Sequence, residues 1–284
     1  MALSGDNPNA SCSTQESVAE NARRAGRIFA FEDERDLPIL AREFSPADAL
    51  ELQLHLLPTR PPKIEGFELN AVSFPAALVG GDHFNFMAVG GERVGLLLFD
   101  VSGKGAPAAI VAARLRAIFR TQTWGNRDVR DVLGRAHEFL LRVLPPASFV
   151  TAVYAILDPD KRTLTWARAG HEPLMRITPG RDANSIQLGT ASGLPLGIGT
   201  REEFHDLLEP QTWHLEHGER VLLFTDGLTE AQDALRNEFG IERILGTLRD
   251  SKDDDISALQ SAVTQFVGNA PPHDDLTMLS LAVE

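Results

Sequence analysis

The chain has 284 residues, which is long for one ordinary domain and short for two. Hydrophobic residues make up 43% and charged residues 24%, a balance typical of globular proteins that excludes wholesale disorder. Because 27 Lys and Arg stand against 40 Asp and Glu, the formal net charge is -13, and nucleic-acid backbones and anionic lipids would repel the chain. We therefore expect neither nucleic-acid binding nor a role at a membrane surface.

Cysteine usage and apolar runs indicate the compartment. The single cysteine, Cys12, excludes an internal disulfide and argues against a Cys-based zinc site or a catalytic thiol. The polar opening from Met1 to Gln15 has no apolar core of a signal peptide, and the aliphatic run Gly95 to Phe99 is too short to span a bilayer. These features predict a cytoplasmic protein.

The N-terminal region differs from the rest in composition. Residues 1–44 are predicted to be an extension that is partly disordered or helical, with an acidic run at 32–36 that reads as a solvated surface. Ser45 and Pro46 mark the start of a helix that ends before Pro58. Its apolar residues fall on two stripes, so residues 45–62 are interpreted as a linker and docking helix, with homodimerisation or a regulator as its use. A catalytic domain is predicted over residues 63–284.

Short strands punctuated by Gly and Pro follow from Phe67 onward. The patterns predict strands at 67–74, 84–89, 94–100, 149–157, 163–169, 174–178, 213–215, 221–225 and 276–283. Helices are predicted at 106–120, 129–144, 241–248 and 256–268, and a further helix could open at Thr229. Strands predominate over crossover helices, which favours an α+β fold of mainly antiparallel sheets with helices packed outside.

Aspartates stand at the ends of the predicted strands. Asp82 follows two glycines, Asp100 and Asp226 come directly after aliphatic runs, and Asp274-Asp275 immediately precede the last strand. Because the end of one antiparallel strand lies beside the start of its neighbour, all of these positions can converge on one sheet edge. Any one of them alone could instead be a turn residue or a helix cap.

Clustered carboxylates predict a site for cations. Two of them about 4 Å apart repel by roughly 4 kcal/mol at an effective dielectric constant near 20. An all-oxygen set without grouped Cys or His indicates Mg²⁺ or Mn²⁺ rather than zinc or copper. Two such ions would lower the pKa of a bridging water and present hydroxide to a phosphoryl group. Gly103, Gly105 and Gly227, which follow the aspartates, allow the backbone to approach an ion or a phosphate closely.

Several ordered sequence blocks lie between residues 46 and 283. They include Leu56-Leu57-Pro58, Val79-Gly80-Gly81-Asp82, Asp100-Val101-Ser102-Gly103-Lys104-Gly105, Ala169-Gly170-His171, Thr225-Asp226-Gly227-Leu228-Thr229-Glu230 and Asp274-Asp275-Leu276-Thr277. Together they resemble the PPM metal-dependent protein phosphatases, specifically the SpoIIE/RsbU-like branch. The resemblance implies a PPM-type β-sandwich of two antiparallel sheets flanked by helices, with a two-metal centre at one end.

The same resemblance assigns roles to individual residues. Asp100 and Asp226 are implied as the catalytic residues, with Asp100 bridging two or more Mn²⁺ or Mg²⁺ ions. The remaining implied metal ligands are the Asp82 carboxylate, which binds directly or through water, the Val101 carbonyl and the Asp274 carboxylate. Asp275 is also implied, as the less favoured candidate of the Asp274-Asp275 pair. One position departs from the family pattern: Asn85 stands where a second acid is common, so an accessory ion is expected to bind less tightly.

Three histidines and one lysine near these blocks are further candidate residues. His171 is expected to pack structurally rather than act as a general acid. His83 and His273 are expected to lie at the surface or to form hydrogen bonds. Lys104 has two interpretations, a lysine that attracts phosphate and a solvated loop lysine.

The predicted function is hydrolysis of phosphoserine or phosphothreonine in proteins by metal-activated water. The resemblance implies a phosphorylated STAS-domain anti-sigma-factor antagonist as the substrate, in a partner-switching pathway. Two alternatives remain open: a phosphatase-like scaffold that binds its partner without turnover, and a phosphohydrolase of small molecules.

Overall fold

The computed structural model describes residues 58, 60–77, 80–180, 185–251 and 254–284. The predicted N-terminal extension and the predicted docking helix at 45–57 lie outside these residues. The predictions about regulation or dimerisation through that helix therefore stay predictions.

Ten strands in the described residues form two five-stranded sheets. The first sheet has the order β1 (Phe67–Phe74), β10 (Leu276–Val283), β9 (Arg220–Phe224), β6 (Leu174–Ile177) and β7 (Ile186–Gly189). The second has the order β2 (His83–Gly90), β3 (Arg93–Val101), β4 (Val150–Asp158), β5 (Thr163–Ala169) and β8 (Gln211–His214). Every pairing between these strands is antiparallel.

Six helices cover the outer faces of the sheets within the described ranges. They are α1 (Ala106–Thr123), α2 (Val129–Val143), α3 (Arg201–Leu207), α4 (Asp226–Thr229), α5 (Gly240–Asp250) and α6 (Asp255–Val267). Helices α1 and α2 share a core with the second sheet, whereas α5 and α6 share one with the first. The predicted class, two antiparallel sheets flanked by helices, is confirmed. Among the described helices, none is both long and apolar enough to cross a membrane.

The aliphatic run of β3 shows why its sequence does not alternate. Leu96 and Leu98 pack between the two sheets, while Leu97 and Phe99 pack under the helices of the second sheet. Side chains of a strand point alternately to its two faces, so a strand buried on both faces is apolar throughout. The run therefore anchors the residue that follows it, Asp100, at a fixed end of the sandwich.

Short elements account for most of the differences from the predicted elements. The four-residue strand β7 and the helices α3 and α4 have no counterpart among the predicted strands and helices. The helix suggested to open at Thr229 ends there instead, because α4 begins at Asp226 directly after β9. Helix α3 carries a capping box in which Thr200 and Glu203 bond each other's backbone, a sequence signal that could have predicted it.

Candidate metal centre

The predicted metal aspartates lie at the same end of both sheets. Asp100 is the second-to-last residue of β3, and Asp82 directly precedes β2, whose first residue pairs with Phe99 of β3. Asp226 lies two residues after the end of β9, with Thr225 between them, and the Asp274-Asp275 pair precedes β10, the neighbour of β9. The residues therefore come together from two sheets, rather than along one sheet edge as the antiparallel argument predicted.

A buried hydrogen bond joins the two halves of this end. The Thr225 hydroxyl, between β9 and α4, donates to Asp82 Oδ2 over 2.7 Å. Asp82 is only 4% exposed, and burial, followed by the charge of Asp100, holds its pKa well above the ordinary range. The carboxyl group of Asp82 is thus held in place from the opposite sheet.

The charges of several neighbouring aspartates act on the Asp100 carboxylate. Burial raises its pKa to about 7, and the charges of Asp226, Asp274 and Asp275 add to this effect, whereas a hydrogen bond with Asp82 opposes it. Burial and Asp274 also raise the pKa of Asp226. A raised pKa in a carboxylate reports negative charge that lacks compensation, which a cation would supply.

Both oxygens of the Asp275 carboxylate accept hydrogen bonds from backbone N–H groups. Its Oδ1 accepts from the Ala76 N–H over 2.8 Å, and its Oδ2 accepts from the N–H groups of Gly81 over 2.8 Å and of Asp82 over 3.5 Å. A Cβ at Gly80 would overlap this carboxylate, so the turn before β2 closes on it only with glycine there. Asp275 therefore fixes the segment that carries Asp82.

Asp274, unlike Asp275, contacts the loop after β3. The Lys104 ammonium lies 2.9 Å from Asp274 Oδ2 and donates to the His273 carbonyl over 2.7 Å. The hydrogen bond to Asp274 raises the pKa of Lys104. Lys104 thus ties the glycine-rich loop to the segment before β10 while its side chain stays exposed, and its attraction of phosphate stays a prediction.

The backbone near Gly81 leaves space next to two oxygen atoms. A Cβ at Gly81 would lie 2.7 Å from the Val101 carbonyl oxygen and 3.2 Å from Asp100 Oδ1. Both oxygens therefore border the small space that the missing side chain leaves. Carboxylate and carbonyl oxygens around uncompensated negative charge fit a hard divalent cation such as Mg²⁺ or Mn²⁺. Within the described ranges, however, no three Asp, Glu, His or Cys side chains already form a cage that could hold an ion.

Two further carboxylates surround Asp226, and the sequence reasoning missed both as acids of this site. Burial and then the charge of Asp226 raise the pKa of the half-buried Glu172. The same two causes raise the pKa of the exposed Glu230, one residue beyond α4. Glu230 is the last residue of the block Thr225 to Glu230, and Glu172 directly follows the block that ends at His171. Their positions in and beside these blocks are the sequence signal that could have identified them.

The histidines and Asn85 are placed differently from one another. His171 is 3% exposed, its Nδ1 lies 2.8 Å from the Thr151 hydroxyl, and burial lowers its pKa to about 3, which favours packing over proton transfer. His83 is 2% exposed, so its predicted surface position is wrong, while His273 is exposed as expected. Asn85 is buried on β2, and its amide nitrogen has no hydrogen-bond partner among the described residues.

Comparison with known proteins identifies relatives. Residues 90–284 match the family described as Stage II sporulation protein E (SpoIIE). The chain is also 30% identical over 184 residues to "Phosphoserine phosphatase RsbU" of Bacillus subtilis (strain 168), which covers 65% of this chain and 53% of that protein. The chain thus spans about half the length of this relative.

Solved structures of similar fold agree with the architecture. The SiaA-PP2C domain of Pseudomonas aeruginosa has a TM-score of 0.73 at 21% identity, over 84% of this chain and 96% of that one. The RsbU and RsbW domains of Rv1364c from Mycobacterium tuberculosis give a TM-score of 0.64 at 25% identity, over 78% of this chain and 61% of that one. The two sheets and flanking helices are therefore those of a PP2C-type fold.

Proposed function

The chain belongs to the SpoIIE family, and from that premise we propose that it is a metal-dependent phosphatase acting on phosphoserine or phosphothreonine in proteins. One observation carries the proposal: Asp100 is half-buried near the charges of Asp226, Asp274 and Asp275, with its pKa raised to about 7. Such a group costs stability unless a cation neutralises it. Phosphoryl transfer needs that same positive charge beside the reacting phosphate.

The residues of the centre divide into ligands and supports. Asp100 and Asp226 are the proposed catalytic residues, because they would hold the ions that the substrate phosphate would meet. The further proposed ligands of Mn²⁺ or Mg²⁺, two or more ions in all, are Asp82, the Val101 carbonyl and Asp274. Asp275 is proposed as a support, because its oxygens already accept backbone hydrogen bonds. When bound, divalent ions would lower the pKa of a water and offset the charge of the phosphoryl group.

The relatives suggest the substrate and the setting. RsbU of Bacillus subtilis is named a phosphoserine phosphatase, and an RsbU-like domain occurs beside an RsbW domain in the Mycobacterium tuberculosis structure. We propose that the substrate is a phosphorylated STAS-domain anti-sigma-factor antagonist in a cytoplasmic partner-switching pathway. An upstream regulator, or a second copy of the chain, is proposed to act through residues 45–57.

A second candidate function has some support. Asn85, in place of a second acid, is what a scaffold that binds its partner without turnover would show. The uncompensated charge around the half-buried Asp100 favours the enzyme instead, because a scaffold gains nothing from it.

Release of phosphate from a phosphoserine peptide, with Mn²⁺ or with excess chelator, tests the proposal. We expect release with Mn²⁺ only, and a loss of at least about 100-fold in Asp100→Asn, since even supporting residues of metal sites cost 10–100-fold. Asp131→Asn is the matched control, because this exposed carboxylate pairs with Arg135 on α2. Activity that survives both chelator and Asp100→Asn contradicts the proposal.

The same assay separates the alternatives. Metal titration by calorimetry that shows no tight binding, without phosphate release, supports the scaffold. An aryl phosphate that outcompetes the phosphopeptide supports a small-molecule phosphohydrolase.

A further inference from the structure

An apolar groove of about 260 Å³ lies beside the metal centre. It is bounded by α6, the end of β1, α4 and the segment that leads into β10. We call it the apolar groove and define it by Phe74, Pro75, Val263, Val267, Pro272 and Leu276.

The groove is rigid and open. Pro75, Pro271 and Pro272 restrict the backbone of two of its walls. Val263 belongs to the core under α6, so the floor is anchored. Phe74, at the end of the edge strand β1, is 42% exposed. A large apolar side chain left open in a concave site indicates binding of an apolar group.

The groove is continuous with the metal centre. Gly227 and Asp274 both line it, and they adjoin or belong to the carboxylate cluster. Consecutive Cα atoms are about 3.8 Å apart, so a substrate whose phosphate lies at the centre brings residues near its phosphoserine to the groove. The occupant is therefore a short stretch of the same substrate chain.

We propose that the apolar groove binds an apolar side chain of the phosphoprotein substrate, close in sequence to the phosphorylated residue. This inference rests on the proposed function. The volume is below the roughly 300–1,000 Å³ of small-molecule sites, and it suits one or two side chains. Asp274 in the wall and Glu230 nearby disfavour an acidic side chain there.

A peptide series tests the proposal. Phosphoserine peptides with Leu, Ser or Asp at each position within about four residues of the phosphoserine are compared with an aryl phosphate, using Mn²⁺ throughout. At one position at least, Leu should exceed Ser by about 10-fold or more in kcat/KM relative to the aryl phosphate, as expected for filling an apolar pocket. Asp at that position should be poorest.

Two variants change the groove in opposite ways. Phe74→Ser removes a wall, and Thr264→Trp fills the space from the exposed face of α6. In both variants, kcat/KM for the Leu peptide should exceed that for the Ser peptide by no more than about twofold. Leu188→Ser is the matched control, because Leu188 is 38% exposed on β7, at the other edge of the same sheet. It should keep the preference.

The outcomes separate this inference from the proposed function. If neither the phosphopeptides nor the aryl phosphate is hydrolysed with Mn²⁺, the proposed function fails. If phosphopeptides are hydrolysed but no position prefers Leu, or if both folded groove variants keep the preference, the groove is not a substrate subsite. Thermal unfolding of each variant establishes that it is folded.

Discussion

Two adjacent aspartates with the same chemistry have opposite surroundings. Asp275 is 9% exposed and accepts backbone hydrogen bonds from the segment before β2. Asp274 is partly exposed and faces Lys104 at the open end of the centre. A carboxylate that accepts several buried backbone hydrogen bonds stabilises the fold. The Asp274 carboxylate instead accepts one local hydrogen bond, from the Asp275 N–H, and forms a half-solvated ion pair with Lys104, which contributes little to stability.

Substitution of each aspartate should separate these roles. Asp275→Ala should lower the free energy of unfolding by about 3 kcal/mol or more, since hydrogen bonds to charged groups contribute roughly 1.5–3 kcal/mol each. Asp274→Ala should change it by less than about 1 kcal/mol, because the lost ion pair is exposed, yet it should abolish Mn²⁺-dependent phosphate release. Urea unfolding in chelator measures the first effect. A larger stability loss in Asp274→Ala would reverse the assignment.

At the scale of elements, the sequence predicted what long patterns encode. The buried run of β3, the hairpin of β4 and β5 and the helices α1, α2, α5 and α6 were found because each has a clear period or length. Strand β7 and helix α4 have four residues each, too few to show a period. The meeting of Asp82 with Thr225 depends on how two sheets pack, which no local pattern contains.

Helix α4 illustrates how closely these short elements pack. Gly227, its second residue, lies against the backbone carbonyl of Asp275, and a Cβ there would overlap that oxygen. The start of β10 and the start of α4 can therefore approach only with glycine at this position. The contact sets the separation between Asp226 and the Asp274-Asp275 pair.

Alanine substitutions at two helical glycines should have opposite effects. Gly227→Ala should lower the free energy of unfolding by about 1–3 kcal/mol or more, because overpacking forces the backbone apart, and it should reduce phosphatase activity. Gly246→Ala is the control: it lies inside α5 with no atom near the added Cβ, and should raise stability by about 0.5–1 kcal/mol. Thermal unfolding distinguishes them. Similar shifts in both variants would mean that Gly227 is not a packing constraint.

At the scale of the whole molecule, the placement of several titratable groups lowers the stability of the fold. The chain carries a net charge of -13, and the aspartates of the candidate metal centre lie together at one end of the sandwich. Two histidines near that end are buried instead: His83 on β2 and His171 directly after β5. Burial lowers the pKa of each to about 3, so both are neutral in the folded protein at neutral pH. Protonation of these two histidines in the unfolded chain should therefore weaken the fold as the pH falls.

The acid sensitivity is testable at His171. Burial is the main cause of its low pKa, the charge of Arg168 adds to it, and the Phe224 carbonyl opposes it. An unfolded histidine has a pKa near 6.5, so below that pH the unfolded chain binds a proton that the folded chain excludes until about pH 3. Stability is therefore lost as the pH falls through 6.5, by about 1.4 kcal/mol per unit for this residue.

Wild type should thus lose about 2 kcal/mol from His171 between about pH 7.5 and pH 5, a loss that His171→Gln lacks. His83 and the carboxylates contribute to both proteins, so the difference between their free energies of unfolding isolates the one imidazole. Urea unfolding in chelator at the two pH values measures it, and His214→Gln reports the effect of losing an exposed imidazole. A difference between wild type and His171→Gln that does not change with pH would show that His171 takes up its proton without leaving the folded state.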